Sequence, residues 1–307
     1  MDELLQDATA GDPITGLKWA RKTLRALERA LRRKGFKISF VTIRRLLRER
    51  GYAIRVNRKR LTKKRSPQRD RQMHYLARLR RRFCKAGQPV ISVDTKKREL
   101  VGNFKNVGGT WRRQARAVLE YDFPSDAEGV AIPFGIYDVA RNKGFVIVGT
   151  SYQTPEFAVA AIRRWWLQVG QMYYPDPHEL LIEADCGNPN SNRCWRWKYG
   201  LQQLADEVGL TITVTHLPTG ASKWNPIEHR LFSQISRNWA GEPFFSYETI
   251  LKFIRTTKTE KGLCCNAYLD KTVYETRLQL TPEQKEQINM VPRRVLPKLN
   301  YTIKPHG

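Results

Sequence analysis

From Gln88 onward the chain alternates short, almost purely aliphatic runs with longer amphipathic ones, and this alternation constrains its fold more than any other feature. PVISVD, IPFGIYDVA, GFVIVGTSY, ELLIEAD and LTITVTHLP read as strands. Runs this short, rich in Val and Ile and bounded by turn residues, suit strands covered on both faces better than buried helices. TPEFAVAAIRRWWLQVGQ, CWRWKYGLQQLADEVG and NPIEHRLFSQISRNWAG read as helices. RNKG joins the second and third strands as a hairpin-like turn. The order β, β, β, α, β, α, β, α predicts an α/β fold, a mixed five-stranded sheet flanked by helices.

The chain before Gln88 has a different character. Residues 1–88 hold 27 Lys and Arg against 7 Asp and Glu, and so carry +20 of the formal net charge of +26. A field of that sign attracts a polyanion, nucleic acid first. Residues 16–34 read as a helix, with Leu24, Leu27 and Leu31 on one stripe. Ser39 can cap a second helix, FVTIRRLLRER, which Gly51 ends. Phe40, Ile43 and Leu47 would face inward. Thr42, Arg44, Arg45 and Arg48 would be left to a DNA groove. Two helices, the second basic, joined by a short Gly-containing turn predict a small all-α helix-turn-helix domain over residues 1–56. Its first helix is expected to be truncated, with LLQDA as a remnant. Residues 57–87 form a basic linker and helix. Arg58, Lys59, Arg60, Lys63 and Lys64 are candidates for phosphate contacts. Ser66-Pro67 opens the helix, Leu76, Leu79 and Phe83 mark its apolar stripe, and Gly87 closes it. The domain boundary is expected near residue 88, and residues 88–307 form the larger domain with a C-terminal extension.

Several classes are excluded. The five Cys contain no CxxC pair and fit neither a zinc site nor a disulfide framework. MDELLQDATAG has neither the basic nor the apolar region of a signal peptide. No apolar run approaches the ~18 residues of a membrane span. A soluble cytoplasmic protein with no membrane partner is expected.

Asp94 and Asp185 each end an aliphatic strand, and in α/β sheets ligand sites lie outside the carboxyl ends of strands. Two such carboxylates side by side repel each other unless a cation sits between them. Oxygen ligands suit Mg²⁺ or Mn²⁺. A lone strand-end Asp more often caps the next turn, and Asp138 is assigned that role. Glu228 has two readings. With Asn225 as N-cap and Pro226 at N1, it completes a capping box. On the first turn of that helix, its carboxylate could instead face the two aspartates, and both readings can hold together. Lys96, Lys97 and Lys223 flank the acids and could hold phosphates. Trp165 and Trp166 fit core packing better than base stacking, and His216 and His229 are structural or DNA-facing. Three carboxylates with two metal ions can both hydrolyse a phosphodiester and join its 3′ end to another strand.

VDTKKRELVGNFKN, AIPFGIYD, FAVAAIRRWW, LLIEADCG and HLPTGASKWNPIEHRLFS resemble the DDE transposases of bacterial insertion sequences related to the mariner superfamily. NPIEH after HLPxG is the most specific mark, and the resemblance runs from about Gly11 to LNYTIKP. It implies a ribonuclease H-like catalytic core, in agreement with the strand order. It implies that Asp94, Asp185 and Glu228 meet to bind two Mg²⁺ (or Mn²⁺) ions per active site. It also implies double-stranded DNA as partner (transposon ends and target), strand transfer, a homodimer or larger synaptic oligomer, and a bacterial, nucleoid-associated location. CGNPNSN replaces a Gly-richer run after the second acid, so a changed loop is expected there. Two alternatives share the residues: a structure-specific nuclease of the same fold, and a catalytically silent DNA-binding derivative.

Overall fold

The computed structural model describes residues 9–11, 18–20, 23–54, 67–221 and 224–307. It forms two compact units, Met1–Leu61 and Thr62–Gly307.

In the first unit, β1 (Thr9–Gly11) pairs antiparallel with β2 (Lys18–Ala20). The helix expected over 16–34 begins only at Leu24, so α1 is Leu24–Arg33. Thr23 sets this start: its hydroxyl accepts the Ala26 amide at 3.1 Å, an N-cap that satisfies one of the first-turn donors. In α2 (Phe40–Glu49), Ser39 caps the Thr42 amide at 3.3 Å, as its sequence position suggests. Leu27, Leu31 and Ile43 form a small core with Leu24 and Leu47 at its edge. Phe40, expected inside, is 45% exposed, because a two-helix core closes over these few side chains and leaves the first residue of α2 beyond its rim. LLQDA and residues 55–65, with the basic linker candidates, lie outside the described residues.

The second unit starts well before residue 88. Helix α3 (Pro67–Lys85) buries Leu79 and Phe83 against Val90 and Leu181 of the sheet, and Leu76 against Leu217 and Ala221. Arg80 donates a fork to the fully buried Glu183, Nε to Oε1 at 2.8 Å and a terminal nitrogen to Oε2 at 2.6 Å. Gln72 and Asn300 exchange amide hydrogen bonds at 2.8 and 2.7 Å. These contacts make α3 part of the sheet unit, Thr62–Gly307.

The expected strands form as β3 (Val90–Thr95), β5 (Gly129–Asp138), β6 (Lys143–Gly149), β7 (Glu179–Ala184) and β8 (Thr211–His216). Their spatial order is β8-β7-β3-β5-β6, with β5 antiparallel to its neighbours and β3, β7 and β8 parallel. This is the ribonuclease H-like arrangement. Helices α4 (Pro155–Trp165) and α5 (Trp195–Val208) cover one face, where Phe157, Ile162, Trp197 and Leu201 meet Ile91, Val93 and Phe134. The other face carries α3, the helix running from Pro226 through a π-helical turn (Glu228–Phe232) into α6 (Ser233–Asn238), and α7 (Tyr247–Arg255). Trp165 and Trp166 are core residues, as expected.

The sheet is wider than five strands. A short β4 (Glu99–Val101) pairs with β5. The C-terminal extension then lines both edges, placing β9 (Cys264–Asp270) parallel to β6 and β11 (Asn300–Ile303) antiparallel to β8, with β10 (Met290–Pro292) outside β11. Covering an edge removes a row of unpaired backbone groups. Among the described residues, all five cysteines are free and no helix is long and apolar enough to cross a membrane.

Candidate active site

Strand β3 fixes the first acid. Side chains alternate along a strand, so Ile91 and Val93 enter the core beneath α4 and α5 while Ser92 and Asp94 project to the opposite face. The parallel register of β3 with β7 ends at Val93–Ala184, and Asp94 and Asp185 follow one step beyond it on neighbouring strands. Across the antiparallel pair, Asp94 lies opposite Gly135. A Cβ at Gly135 would sit 2.5 Å from Phe232 and 2.9 Å from Ile227. The missing side chain therefore lets the helix of Glu228 lie directly on the sheet beside Asp94.

All three acids are half-buried. Burial first, then the charges of Asp185 and Glu228, push the Asp94 carboxyl up to about 8, against the Thr95 amide and Asn225, which pull it down. Burial also raises Asp185, opposed by its bonds from Gly187 and Asn190. Glu228 is raised by burial, with Lys96 and His229 countering and Asp185 adding to the rise. Asp94 thus feels both other acids, and Glu228 feels Asp185. Among the described residues no three His, Cys, Asp or Glu side chains close into a ready metal cage. Asp94 and Asp185 lie at the adjacent carboxyl ends of the central strands β3 and β7.

The hydrogen bonds around the acids are specific. Asp94 Oδ1 accepts the Thr95 amide at 2.8 Å, and its Oδ2 accepts Asn225 Nδ2 at 2.9 Å. Asp185 Oδ1 accepts Gly187 N at 3.0 Å and Asn190 Nδ2 at 3.2 Å. Behind Asp185, the fully buried His216 bonds its carbonyl through Nδ1 at 2.8 Å. A carbonyl only accepts, so Nδ1 carries the proton and Nε2 accepts from the Tyr301 hydroxyl at 3.2 Å. Tyr301 in turn accepts from Trp197 Nε1 at 3.1 Å. Burial lowers His216 to about 4, which keeps the ring neutral.

A model described as the Rhodopirellula transposase DDE domain matches residues 1–305. The chain belongs to this family. Among solved structures, it is similar to the Mos1 transposase paired-end complex with left transposon end (15% identity, TM-score 0.43, covering 76% of this chain and 65% of that one). It is also similar to a pre-cleavage Mos1 transpososome (15% identity, TM-score 0.44, 76% and 66%) and to the mariner Mos1 paired end complex with Mg (16% identity, TM-score 0.43, 76% and 65%). The chain therefore spans just under two thirds of the length of these proteins. No curated protein matches it.

In this DDE domain the capping box expected at Asn225 does not form. Asn225 is fully buried, its side-chain oxygen accepts the Ser92 hydroxyl at 2.6 Å and its nitrogen donates to Asp94, and among the described residues no helix amide bonds to it. The π-helical turn at Glu228 has no side-chain cap. Asn225, Gly135 and the His216–Tyr301 pair are therefore the residues that the strand-end argument misses. The NPIEH motif and a Gly inside a strand run were their only sequence signals.

The donor set fits a hard divalent cation. It offers carboxylate oxygens with no thiolate or imidazole among them. The side-chain oxygen of the fully buried Asn190 has no hydrogen-bond partner although its amide nitrogen holds Asp185. A Cβ at Gly187 would reach within 2.8 Å of Asp185 Oδ2, so the glycine keeps that oxygen clear.

The basic candidates are dispersed. Arg44, Arg45 and Arg48 are exposed on α2, where Arg45 pairs with Glu49 at 3.4 Å. The Thr42 hydroxyl shares a bond with the Ser39 cap at 3.2 Å. Lys97 is exposed and lines a cleft of about 260 Å³ with Arg98, Lys105, Phe104 and Phe244. Lys96 pairs with Glu99 at 3.5 Å and lies over the Trp239 ring, 4.6 Å from its centre. Lys223, Arg58, Lys59, Arg60, Lys63 and Lys64 lie outside the described residues. Asp138, at the far end of the sheet, accepts from Tyr174 at 2.9 Å and the Arg141 amide at 3.0 Å, which suits a structural role.

Proposed function

We propose that this chain is the transposase of an insertion sequence, a DDE enzyme that cuts and rejoins double-stranded DNA at transposon ends. Asp94, Asp185 and Glu228 are its catalytic acids and the ligands of two Mg²⁺ or Mn²⁺ ions. The observation that supports this reading is that Asp94 and Asp185 follow the last register pair of the parallel neighbours β3 and β7, where burial and the charges of Asp185 and Glu228 raise the Asp94 carboxyl. Such an arrangement is costly without a cation and suited to one. Bound there, divalent ions supply the charge that activates a water or a 3′-OH and stabilises the leaving 3′ oxygen.

The residues of the chain do the rest. Asn190 and Gly187 hold one oxygen of Asp185 and leave the other open. Asn225 and the Thr95 amide aim Asp94. Gly135 seats the helix that presents Glu228. The helix-turn-helix unit, with Thr42, Arg44, Arg45 and Arg48, binds the transposon ends. The linker candidates Arg58, Lys59, Arg60, Lys63 and Lys64 contact phosphates, as do Lys97 and Lys223 near the acids. Pairing two ends requires a dimer or larger assembly on DNA, in the cytoplasm at the nucleoid.

The test uses a duplex carrying one end of the element and, separately, the same duplex pre-cut to a 3′-OH. The wild-type chain should nick the first and join the second to a target duplex only with Mg²⁺ or Mn²⁺. Asp94→Ala, Asp185→Ala and Glu228→Ala should each abolish both steps and leave duplex binding nearly intact. Nicking without joining would instead identify a nuclease, and nicking by Asp185→Ala would remove the acid assignment.

A further inference from the structure

Asn225 connects two parts of the site that the backbone keeps far apart in sequence. It precedes the helix of Glu228, and its side chain reaches across to β3. Its oxygen accepts Ser92 Oγ at 2.6 Å, and its nitrogen donates to Asp94 Oδ2 at 2.9 Å. Asn225 and Ser92 are both 0% exposed, so no water competes for the bond between them. Pro226 follows, and its ring confines Asn225 to an extended backbone, which limits where the amide can aim.

The polarity of this relay is determined by its two ends. An ionised Asp94 only accepts, so the amide nitrogen must face it. The amide oxygen must then face Ser92, whose hydroxyl is the donor that completes the pair. Turning the amide over would set its oxygen against the carboxylate and lose that bond, leaving Ser92 Oγ only as an acceptor for the amide nitrogen. Without the Ser92 hydroxyl, the buried amide oxygen has no donor and the Asp94 bond alone holds the group in place.

We propose that Ser92 and Asn225 form a positioning relay, which aims the Asp94 carboxylate and ties its strand to the helix bearing Glu228, so that the two acids approach one divalent ion together. The inference rests on the three-acid reading above and adds Asn225 as the residue that assembles the site. Neither Ser92 nor Asn225 touches the reacting DNA in this account. Removing a group that orients a metal ligand typically weakens metal binding about 10- to 100-fold without removing the ligand.

The experiment is Mn²⁺ binding by the full chain, followed from the electron paramagnetic resonance signal of free Mn²⁺. Nicking is measured across a Mn²⁺ series, and thermal melts confirm folding. Asp94→Asn should lose the Asp94-dependent site. Asn225→Ala should weaken it about tenfold or more, and raised Mn²⁺ should recover much of its nicking, which it cannot do for Asp94→Asn. Ser92→Ala should weaken binding several-fold and Ser92→Thr, which keeps the hydroxyl, should restore it. The serine pair carries the test if Asn225→Ala does not fold. Folded Asn225→Ala or Ser92→Ala proteins that bind Mn²⁺ as the wild type does, while Asp94→Asn does not, would overturn the relay and leave the acids standing. Wild-type binding by Asp94→Asn would overturn the three-acid reading, and the relay with it.

Discussion

Asp94→Asn should make the metal-free protein more stable at neutral pH while destroying its proposed activity. In the native state burial and the charges of Asp185 and Glu228 raise the Asp94 carboxyl from 3.8 to about 8. A group raised on folding binds more protons in the native state than in the unfolded one. Its contribution is therefore fully present below pH 3.8 and is lost as pH climbs towards 8. At about 1.4 kcal/mol per unit of pKa, the loss reaches about 4 kcal/mol at pH 7. Asparagine carries no charge to confine. It does place an amide against Asn225 Nδ2, and a spoiled hydrogen bond of that kind costs about 1–2 kcal/mol. The expected net gain is about 2 kcal/mol, or about 4–8 °C in melting temperature for a unit of this size. Melts in EDTA from pH 5 to 8 should show the wild type falling relative to the variant as pH rises. Saturating Mg²⁺ should reverse their order. A metal-free variant less stable than the wild type at pH 7, or two curves that run parallel across the range, would refute the reasoning.

Gly135→Ala should push the helix of Glu228 off the sheet, since a Cβ there meets Phe232 at 2.5 Å. Overpacking of this kind costs about 1–3 kcal/mol, and nicking measured at a temperature where the variant is folded should fall far more than stability does. Tyr301→Phe strands the Trp197 N–H and His216 Nε2, both buried, so its urea midpoint should report a loss of about 2–4 kcal/mol; a loss near zero would show that the relay behind Asp185 is ornamental to the fold. Arg80→Met leaves the fully buried Glu183 unpaired and should cost about 3–5 kcal/mol at pH 7. Burial already raises that carboxyl, and without Arg80 it rises further, so the cost should shrink as pH falls towards 4.5 and Glu183→Gln in the same background should recover part of it.

The five central strands were legible because each is one contiguous aliphatic run, buried on both faces. Their order along the chain restricts the sheet to few topologies. Asp94 and Asp185 were legible for the same reason, since a charge that ends such a run lies at the strand's carboxyl end, where the core stops. The edge strands were not. CCNAYLD and NYTI mix polar and apolar residues, and their pairing with β6 and β8 depends on partners more than 80 residues away. Asn225 shows the limit most clearly. The atoms that would cap a helix are the same atoms that bridge Ser92 and Asp94, and only the folded chain decides between the two uses. The start of α1 differs for a local reason: Thr23 caps the helix, and Lys18–Ala20 before it pair with Thr9–Gly11 as a strand. The contacts of α3 made it part of the sheet unit although its charge resembles that of the basic segment before it.

Anomalous diffraction at the manganese edge from crystals of the full chain grown with Mn²⁺ would locate the ions without recourse to activity. Strong peaks within coordination distance of Asp94, Asp185 and Glu228 oxygens are predicted, with the Asp94 and Glu228 carboxylates drawn together. Fully occupied manganese elsewhere in the chain, with these three side chains still apart, would contradict the account.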